Sequence, residues 1–383
     1  MANTLTAVLP AIYAGLDVVS RELIGFIPNV QRDATLQGAA VGQTVNVPVV
    51  PPATGGNITP AATPPDDGDV TIGAMPVTIT KSKYSPVRWN GEEQLAIGPT
   101  GQYNKILADQ FAQAFRWLAN QVEVDIGVAA KNAASRAYGT AGNAPFGTAG
   151  DLTDFAGVNK ILDENGAPQT GRKLVVGSAA RFNLEGKQAV LFKVNESGTD
   201  AFLRNRVVRE VMGFDLGWSA GVATYTKGGG TGYTSSAAGF AIGTTSIPVI
   251  TGSGTILAGD VITFAGDSNK YVVKTGVAAP GTIVLQAPGL LQAIPASATA
   301  LTIGGNFTSN IGFTPNSMVL AARPPAVPTV GDSAEDSQLV VDPVSSIGFD
   351  VRLYKEYRRV RYEVGLAWGV GIVKPEHIAE LLG

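Results

Sequence analysis

The sequence predicts a mixed α+β chain that carries an inserted all-β unit. Three observations lead there. Apolar residues recur at helical spacing across residues 102–138. Alternating, β-like runs occupy 44–50 and 70–80 near the start and 349–370 near the end. Between them, residues 228–322 contain only Asp260, Asp267, Lys270 and Lys274 as charged residues, together with a series of short β-rich runs. At 383 residues and 39.5 kDa, the chain is longer than one small core fills, so two or three packed units are expected.

Taken in order, residues 5–23 place Leu5, Val8, Leu9, Ile12, Leu16, Val19 and Leu23 on one stripe, with Asp17, Arg21 and Glu22 off it. This is an amphipathic helix that needs something to dock on, either the chain's own core or a neighbour. The runs 44–50 and 70–80 read as two strands of an extended arm. The long Pro/Gly-rich excursion between them carries Asp66, Asp67 and Asp69. Residues 102–138 then form one helix of 37 residues, a rod of roughly 55 Å at about 1.5 Å per residue. A helix follows near 152–162 and an apolar strand near 173–176, and a mixed segment ends at Gly213-Phe214-Asp215. Short β runs at 246–250, 260–265, 270–275, 282–286 and 299–303 suggest a small all-β domain over 239–304. The Gly-rich 228–238 run reads as its flexible tether. Two closing strands come from Phe349, Val351 and Leu353 and from the alternation Val360 to Val370.

Charged residues make up 15% of the chain against roughly 25% in an ordinary soluble domain. Large subunit interfaces produce such a deficit, because covered faces lose charge first. A net charge of −3 does not suit a dedicated nucleic-acid binder, whose affinity comes from basic excess. The absence of cysteine excludes disulfides, thiolate zinc sites and cysteine nucleophiles. Asp17 and Glu22 interrupt the apolar run a signal peptide would need, so a cytosolic chain without membrane insertion is expected.

Few residues invite chemistry, and neither a catalytic group nor a cofactor or metal is expected. His377 is the sole histidine and reads as a surface residue. No Gly-x-Ser-x-Gly elbow is present, and Gly228 to Gly232 lacks the Lys-Ser/Thr of a phosphate loop. Asp66-Asp67-Gly68-Asp69 reads as a solvated loop tip, because no downstream Glu completes a calcium loop. Arg352, Lys355, Arg358, Arg359 and Arg361 cluster within ten residues, with Tyr354 and Tyr357 among them. Three readings stay open for this cluster: a solvated strand face, pairing with acids of a neighbouring chain, or contact with phosphate. The aspartates at 66, 67 and 69 are the acids proposed to meet it between subunits.

This order of parts resembles the major capsid (coat) proteins of tailed DNA bacteriophages, and more closely the coat family typified by Salmonella podoviruses. Short stretches carry the resemblance: Leu118-Ala119-Asn120-Gln121-Val122-Glu123, Gly213-Phe214-Asp215, Gly259 to Gly266, and Trp368-Gly369-Val370 through Pro375-Glu376. It departs at Thr314, where many relatives have His after an Asn-x-x-Phe start like Asn310 to Phe313.

The resemblance implies a Hong Kong 97-like fold. Its parts would be an N-terminal arm (1–37), an extended β-arm or E-loop (38–95), and a spine helix with the peripheral domain (96–150). An axial domain (151–238), the inserted β-barrel (239–304), a return to the axial domain (305–345) and closing peripheral strands (346–383) would follow. It also implies a homo-oligomer of pentamers and hexamers in an icosahedral virion shell, assembled in the host cytoplasm. Its partners would be a scaffolding protein, a portal, packaged double-stranded DNA held by nonspecific contact and, in some relatives, a decoration protein. Some related shells crosslink Lys to Asn; Lys81 and Lys83 are present here, but no motif marks the reaction. An encapsulin-like compartment, a β-rich surface or adhesion protein, and an enzyme with an unrecognised acid pair are the alternatives.

Overall fold

A computed structural model describes residues 8–22, 25–33, 37–50, 57–58, 60, 72–97, 103–188, 210–342 and 345–383. The first half contains α1 (Leu9–Glu22), β1 (Gln31–Asp33), β2 (Thr44–Val49), β3 (Gly73–Thr78), β4 (Lys81–Asn90), α2 (Gly91–Ile97), α3 (Tyr103–Ala133), β5 (Arg136–Gly139), α4 (Thr153–Glu164), β6 (Arg172–Val176) and α5 (Ser178–Lys187). The second half is built of strands: β7 (Glu210–Val211), β8 (Phe214–Trp218), β9 (Thr224–Tyr225), β10 (Ser246–Val249), β11 (Val261–Phe264), β12 (Lys270–Thr275), β13 (Gly281–Leu285) and β14 (Leu301–Ile303), then β15 (Phe307–Phe313), β16 (Met318–Arg323), β17 (Asp336–Val341), β18 (Gly348–Glu356), β19 (Arg359–Ile372) and β20 (Ile378–Leu382). The fold is mixed α+β, as the sequence predicts.

Helix α3 is the spine. Leu107, Phe111, Phe115, Leu118, Val122 and Ile126 recur three or four apart and are buried along its length. They meet the sheet edge-on: Phe111 packs on Tyr362 and Phe115 on Phe349, with ring centroids 5.6 and 5.0 Å apart. The helix stops at Ala133, short of the predicted Tyr138, giving 31 residues and a rod of roughly 46 Å. Residues 136–139 become β5 instead, parallel to β20 and antiparallel to β12. Two ladders outweigh the local helical preference there, and Gly139, at φ +89°, turns the chain away. Helix α1 docks on the chain's own core, against α3. Ile12, Leu16 and Val19 are buried, and Gly15 lies so close to Ala108 and Ala112 that a Cβ would collide with their backbone.

Among the described residues the strands form a six-stranded sheet, a twelve-stranded sheet and the separate β2–β3 pair. Strand β19 is the centre of the six-stranded sheet. Its first half pairs with β18 and its second half with β16, while β4 runs along its other side. Helix α2, which the periodicity does not signal, is started by a capping box: Glu93 N donates to Asn90 Oδ1 at 2.7 Å and Asn90 N to Glu93 Oε2 at 2.9 Å.

The β strands between 246 and 303 gather a core of their own from Ile247, Val249, Ile262, Phe264, Tyr271, Val273, Ile283 and Leu285. The 228–238 run is part of this unit and not a tether. Tyr233 is 1% exposed in its core, Thr231 bridges Ser253, and Gly228 N donates to the buried Asp260. Glycines serve here because the backbone itself packs: a Cβ on Gly230 would strike Ile303. Through β12 and β5 the unit is continuous with the larger sheet.

Candidate inter-subunit surfaces

The arm is the two-stranded β2–β3 ribbon, in register from Thr44↔Thr78 to Val49↔Gly73. Among the described residues, its core lies at the base. Val77 and Ile79 bury against Val319, Ala321 and Ala367, an approach made possible by glycines at 369 and 371 of β19, where a Cβ would run into Thr78 and Val77. At the far end Val50 is 67% and Ile72 63% exposed. Asp66, Asp67 and Asp69 lie outside the described residues.

Below the arm, β4 is tied to the spine by polar contacts. Lys81 Nζ lies 2.6 Å from Asp125 Oδ1, whose other oxygen accepts from Trp368 Nε1 at 2.8 Å. Lys83 Nζ donates to Gln121 Oε1 at 2.6 Å and sits over the Trp117 ring. Both lysines are thus held on helix α3.

The basic cluster lies at the tip of the β18–β19 hairpin, and the structure supplies in-chain acids for most of it. Arg352 contacts Asp332 at 2.7 Å and Asp350 at 2.6 Å, Lys355 contacts Glu335 at 2.7 Å, Arg359 pairs with Glu356, and Arg361 with Glu363. Tyr354 donates to Asp332, which together with Arg352 holds that carboxyl below its ordinary range; burial and the same contact push the Tyr354 phenol up to about 12. A face compensated this way has little excess charge for a polyanion. Arg358 is the exception, exposed at φ +58° beside the ring of Tyr357, which is 88% exposed, and without an ion pair among the described residues. The acidic run Asp332, Glu335 and Asp336 was the available signal. It leads into β17, with Asp336 as that strand's first residue, and β17 pairs with β18, so opposite charges on adjacent strands were due to meet.

Two buried polar junctions, neither signalled by the sequence, hold the surfaces in place. Glu123, 5% exposed on α3, accepts from Phe26 N, Ile27 N and Ser219 Oγ, each at 2.8 Å. Burial raises its pKa, against the pull of those donors. The second junction joins the spine, the last strand and the β unit. Lys131 Nζ lies 3.4 Å from the Tyr225 ring centroid, and Glu380 and Asp260 are the acids that favour its charge, while burial lowers its pKa. Glu380 is wholly buried and its pKa is pushed up to about 8 by that burial, with Ser309 Oγ donating to one oxygen and no partner for the other. The Tyr225 phenol is raised too, by burial first and then by Asp260.

Chemistry is sparse elsewhere. A cleft of about 990 Å³ between α4, the 140–148 loop and the β unit contains Arg136 and Lys160, both paired with Glu164, and Lys270, which donates to the Gly139 carbonyl. Among the described residues no group of three or more His, Cys, Asp or Glu could hold a metal ion, and no helix is long and apolar enough to cross a membrane. His377 is half-buried in a short turn rather than on the open surface, and burial lowers its pKa.

No family model and no curated protein matches the chain. Solved structures do. The chain is similar to a protein of Mycobacterium phage Che8 (11% identity, 91% of this chain and 94% of that one, TM-score 0.45) and to the capsid of cyanophage P-SCSP1u (11%, 92% and 86%, TM-score 0.48). It is also similar to a virus-like particle from Pyrococcus furiosus (10%, 97% and 98%, TM-score 0.39). These are similarities of outline, and a functional reading has to stand on the residues themselves.

Proposed function

We propose that this chain is the major capsid protein of a tailed, double-stranded DNA phage with a Hong Kong 97-like fold, assembling through pentamers and hexamers into an icosahedral shell in the host cytoplasm. The arm is the observation that carries this reading. A two-stranded ribbon is marginal alone, and this one displays Val50 and Ile72 to solvent at the end away from its own core. Apolar side chains on such an arm serve a neighbouring subunit, and many weak contacts of this kind add up to a strong shell. The charge deficit of the chain supports the same conclusion.

On this reading the role is structural. The partners are further copies of the chain, a scaffolding protein, a portal, packaged DNA and, in some shells, a decoration protein. The aspartates of the arm tip meet the β18–β19 hairpin of a neighbour, with Arg358 as the principal cation because the other four have in-chain acids. The test is negative-stain imaging and sedimentation of the purified full chain, alone and with its scaffold. Closed shells or capsomers are the expected result, and a chain that stays monomeric in every condition overturns the proposal.

A further inference from the structure

Four ionisable groups face one another where the spine meets the β unit, and each comes from a different element: Lys131 from α3, Tyr225 from β9, Asp260 from the turn before β11 and Glu380 from β20. Their hydrogen bonding is unequal. Asp260 is served from within the β unit, accepting from Gly228 N at 3.0 Å and from Leu257 N at 2.7 Å. Glu380 is served on one side only: Ser309 Oγ donates to Oε1, while Oε2 is buried without a partner. Lys131 forms no ion pair among the described residues, and its ammonium lies 3.4 Å from the Tyr225 ring centroid. A Cβ on Gly259 would collide with that ammonium, so the turn that carries Asp260 rests directly on it. The charged groups of the neighbouring elements are engaged elsewhere. Lys270 of β12 donates to the Gly139 carbonyl, and Arg136 of β5 pairs with Glu164 of α4.

While Glu380 holds its proton, the junction has one cation, Lys131, and one anion, Asp260. Burial keeps that proton in place up to a pH of about 8. Its loss puts a second negative charge on a fully buried carboxylate that has a single donor, which is costly unless a cation or further donors come to it. Lys131 is the one cation that acts on Glu380 among the described residues. Asp260 competes weakly for it, because two backbone N–H groups already serve that carboxylate. The flexible four-carbon stem of a lysine lets the ammonium change partners without moving its helix.

We propose that ionisation of Glu380 draws the Lys131 ammonium off the Tyr225 ring and onto Glu380 Oε2, and that the move releases strand β9 and the 257–260 turn from the spine. The junction is thus a latch between the spine and the β unit, shut when Glu380 is neutral and open when it is charged. Opening is local. The β unit stays attached through the β12–β5 ladder and through Gln286, whose Nε2 donates to the Asn132 carbonyl. The latch needs only this chain and does not depend on the shell reading.

The experiment is hydrogen exchange of the full chain, followed by mass spectrometry from about pH 7 to about pH 9, either side of the Glu380 value, with rates corrected for the chemical effect of pH. Peptides covering 224–228 and 256–260 should gain about tenfold in corrected exchange across that range, while peptides of the β16–β19 ladder should not, because local opening is separate from global unfolding. Glu380→Gln, which cannot ionise, should remove the step, and Tyr225→Phe, which keeps the ring, should retain it. Should Glu380→Gln fail to fold, Lys131→Gln decides: with no ammonium to move, it should show no step either. A flat wild-type profile overturns the proposal, as does a step that survives Glu380→Gln or Lys131→Gln. A step lost in Tyr225→Phe would assign the titration to the phenol, and an equal gain in the β16–β19 ladder would mean general loosening; each of these overturns it as well.

Discussion

Glu123 Oε2 accepts the backbone N–H of Phe26 at 2.8 Å, across 97 residues of sequence, so one carboxylate of the spine fixes where the N-terminal segment turns. Glu123→Ala would leave the N–H groups of Phe26 and Ile27 buried without acceptors. At about 1–3 kcal/mol for each unsatisfied group, a loss of at least about 2 kcal/mol is expected in denaturant unfolding. Amide exchange at Phe26 and Ile27 should accelerate beyond the global change. Unchanged protection there would show that the carboxylate is not the anchor.

Glu380 makes stability depend on pH in a defined direction. Its folded pKa of about 8 lies above the ordinary 4.5, so between those values the folded chain holds a proton that the unfolded chain has released. Stability from this group is therefore complete at low pH, falls as pH rises from about 4.5 to 8, and levels off above. The full effect has an upper bound of about 5 kcal/mol. Glu380→Gln should flatten the slope over pH 5–8 and stabilise the chain at pH 8, read from urea midpoints. A slope unchanged in the variant assigns the pH dependence to other groups.

Gly259 and Gly266 offer a matched pair, both at φ +86°. A Cβ on Gly259 would run into the Lys131 ammonium and Asn132, while Gly266 has open space around it. Gly266→Ala should cost about 1 kcal/mol, the backbone strain alone. Gly259→Ala should cost clearly more, because it also displaces Lys131 from Tyr225. Equal melting shifts would mean that the Lys131 junction contributes nothing.

For the arm tip, Asp66→Lys with Asp67→Lys should weaken assembly more at low than at high salt, since each exposed pair contributes about 0.2–1 kcal/mol and salt screens it. Adding Arg358→Glu should partly restore assembly. A triple variant no better than the double one separates these clusters.

Excised residues 228–304 should melt cooperatively and 239–304 should not, because Tyr233 belongs to the core that the shorter piece lacks. Cooperative melting of the shorter piece would show that Tyr233 and its run are dispensable.

Periodicity made the spine, α1 and the arm strands readable, because one buried face imposes a repeat that survives in the sequence. Where two ladders compete with local preference, as at 136–139, the deciding partners β12 and β20 lie more than a hundred residues away. The 228–238 run misleads for a related reason. Glycine chosen for close backbone packing has the same composition as glycine chosen for flexibility. Of the surfaces, the basic cluster was legible as a cluster. Its occupancy by Asp332, Glu335 and Glu356 depends on which strands and turns lie together, which charge counting does not contain, whereas Glu363 meets Arg361 two positions away on the same face of β19.

The ten-residue ladder between β4 and β19 has a mechanical side. The ribbon β2–β3 leads directly into β4, so in the shell proposed above a neighbour pulling on the ribbon along the strand direction would drag β4 lengthwise along β19. Force in that direction is shear: it loads the rungs of the ladder together instead of peeling them one at a time. In the shell proposed above, tension on the ribbon would therefore fall on this ladder, and the ribbon would behave as a tether anchored at its root.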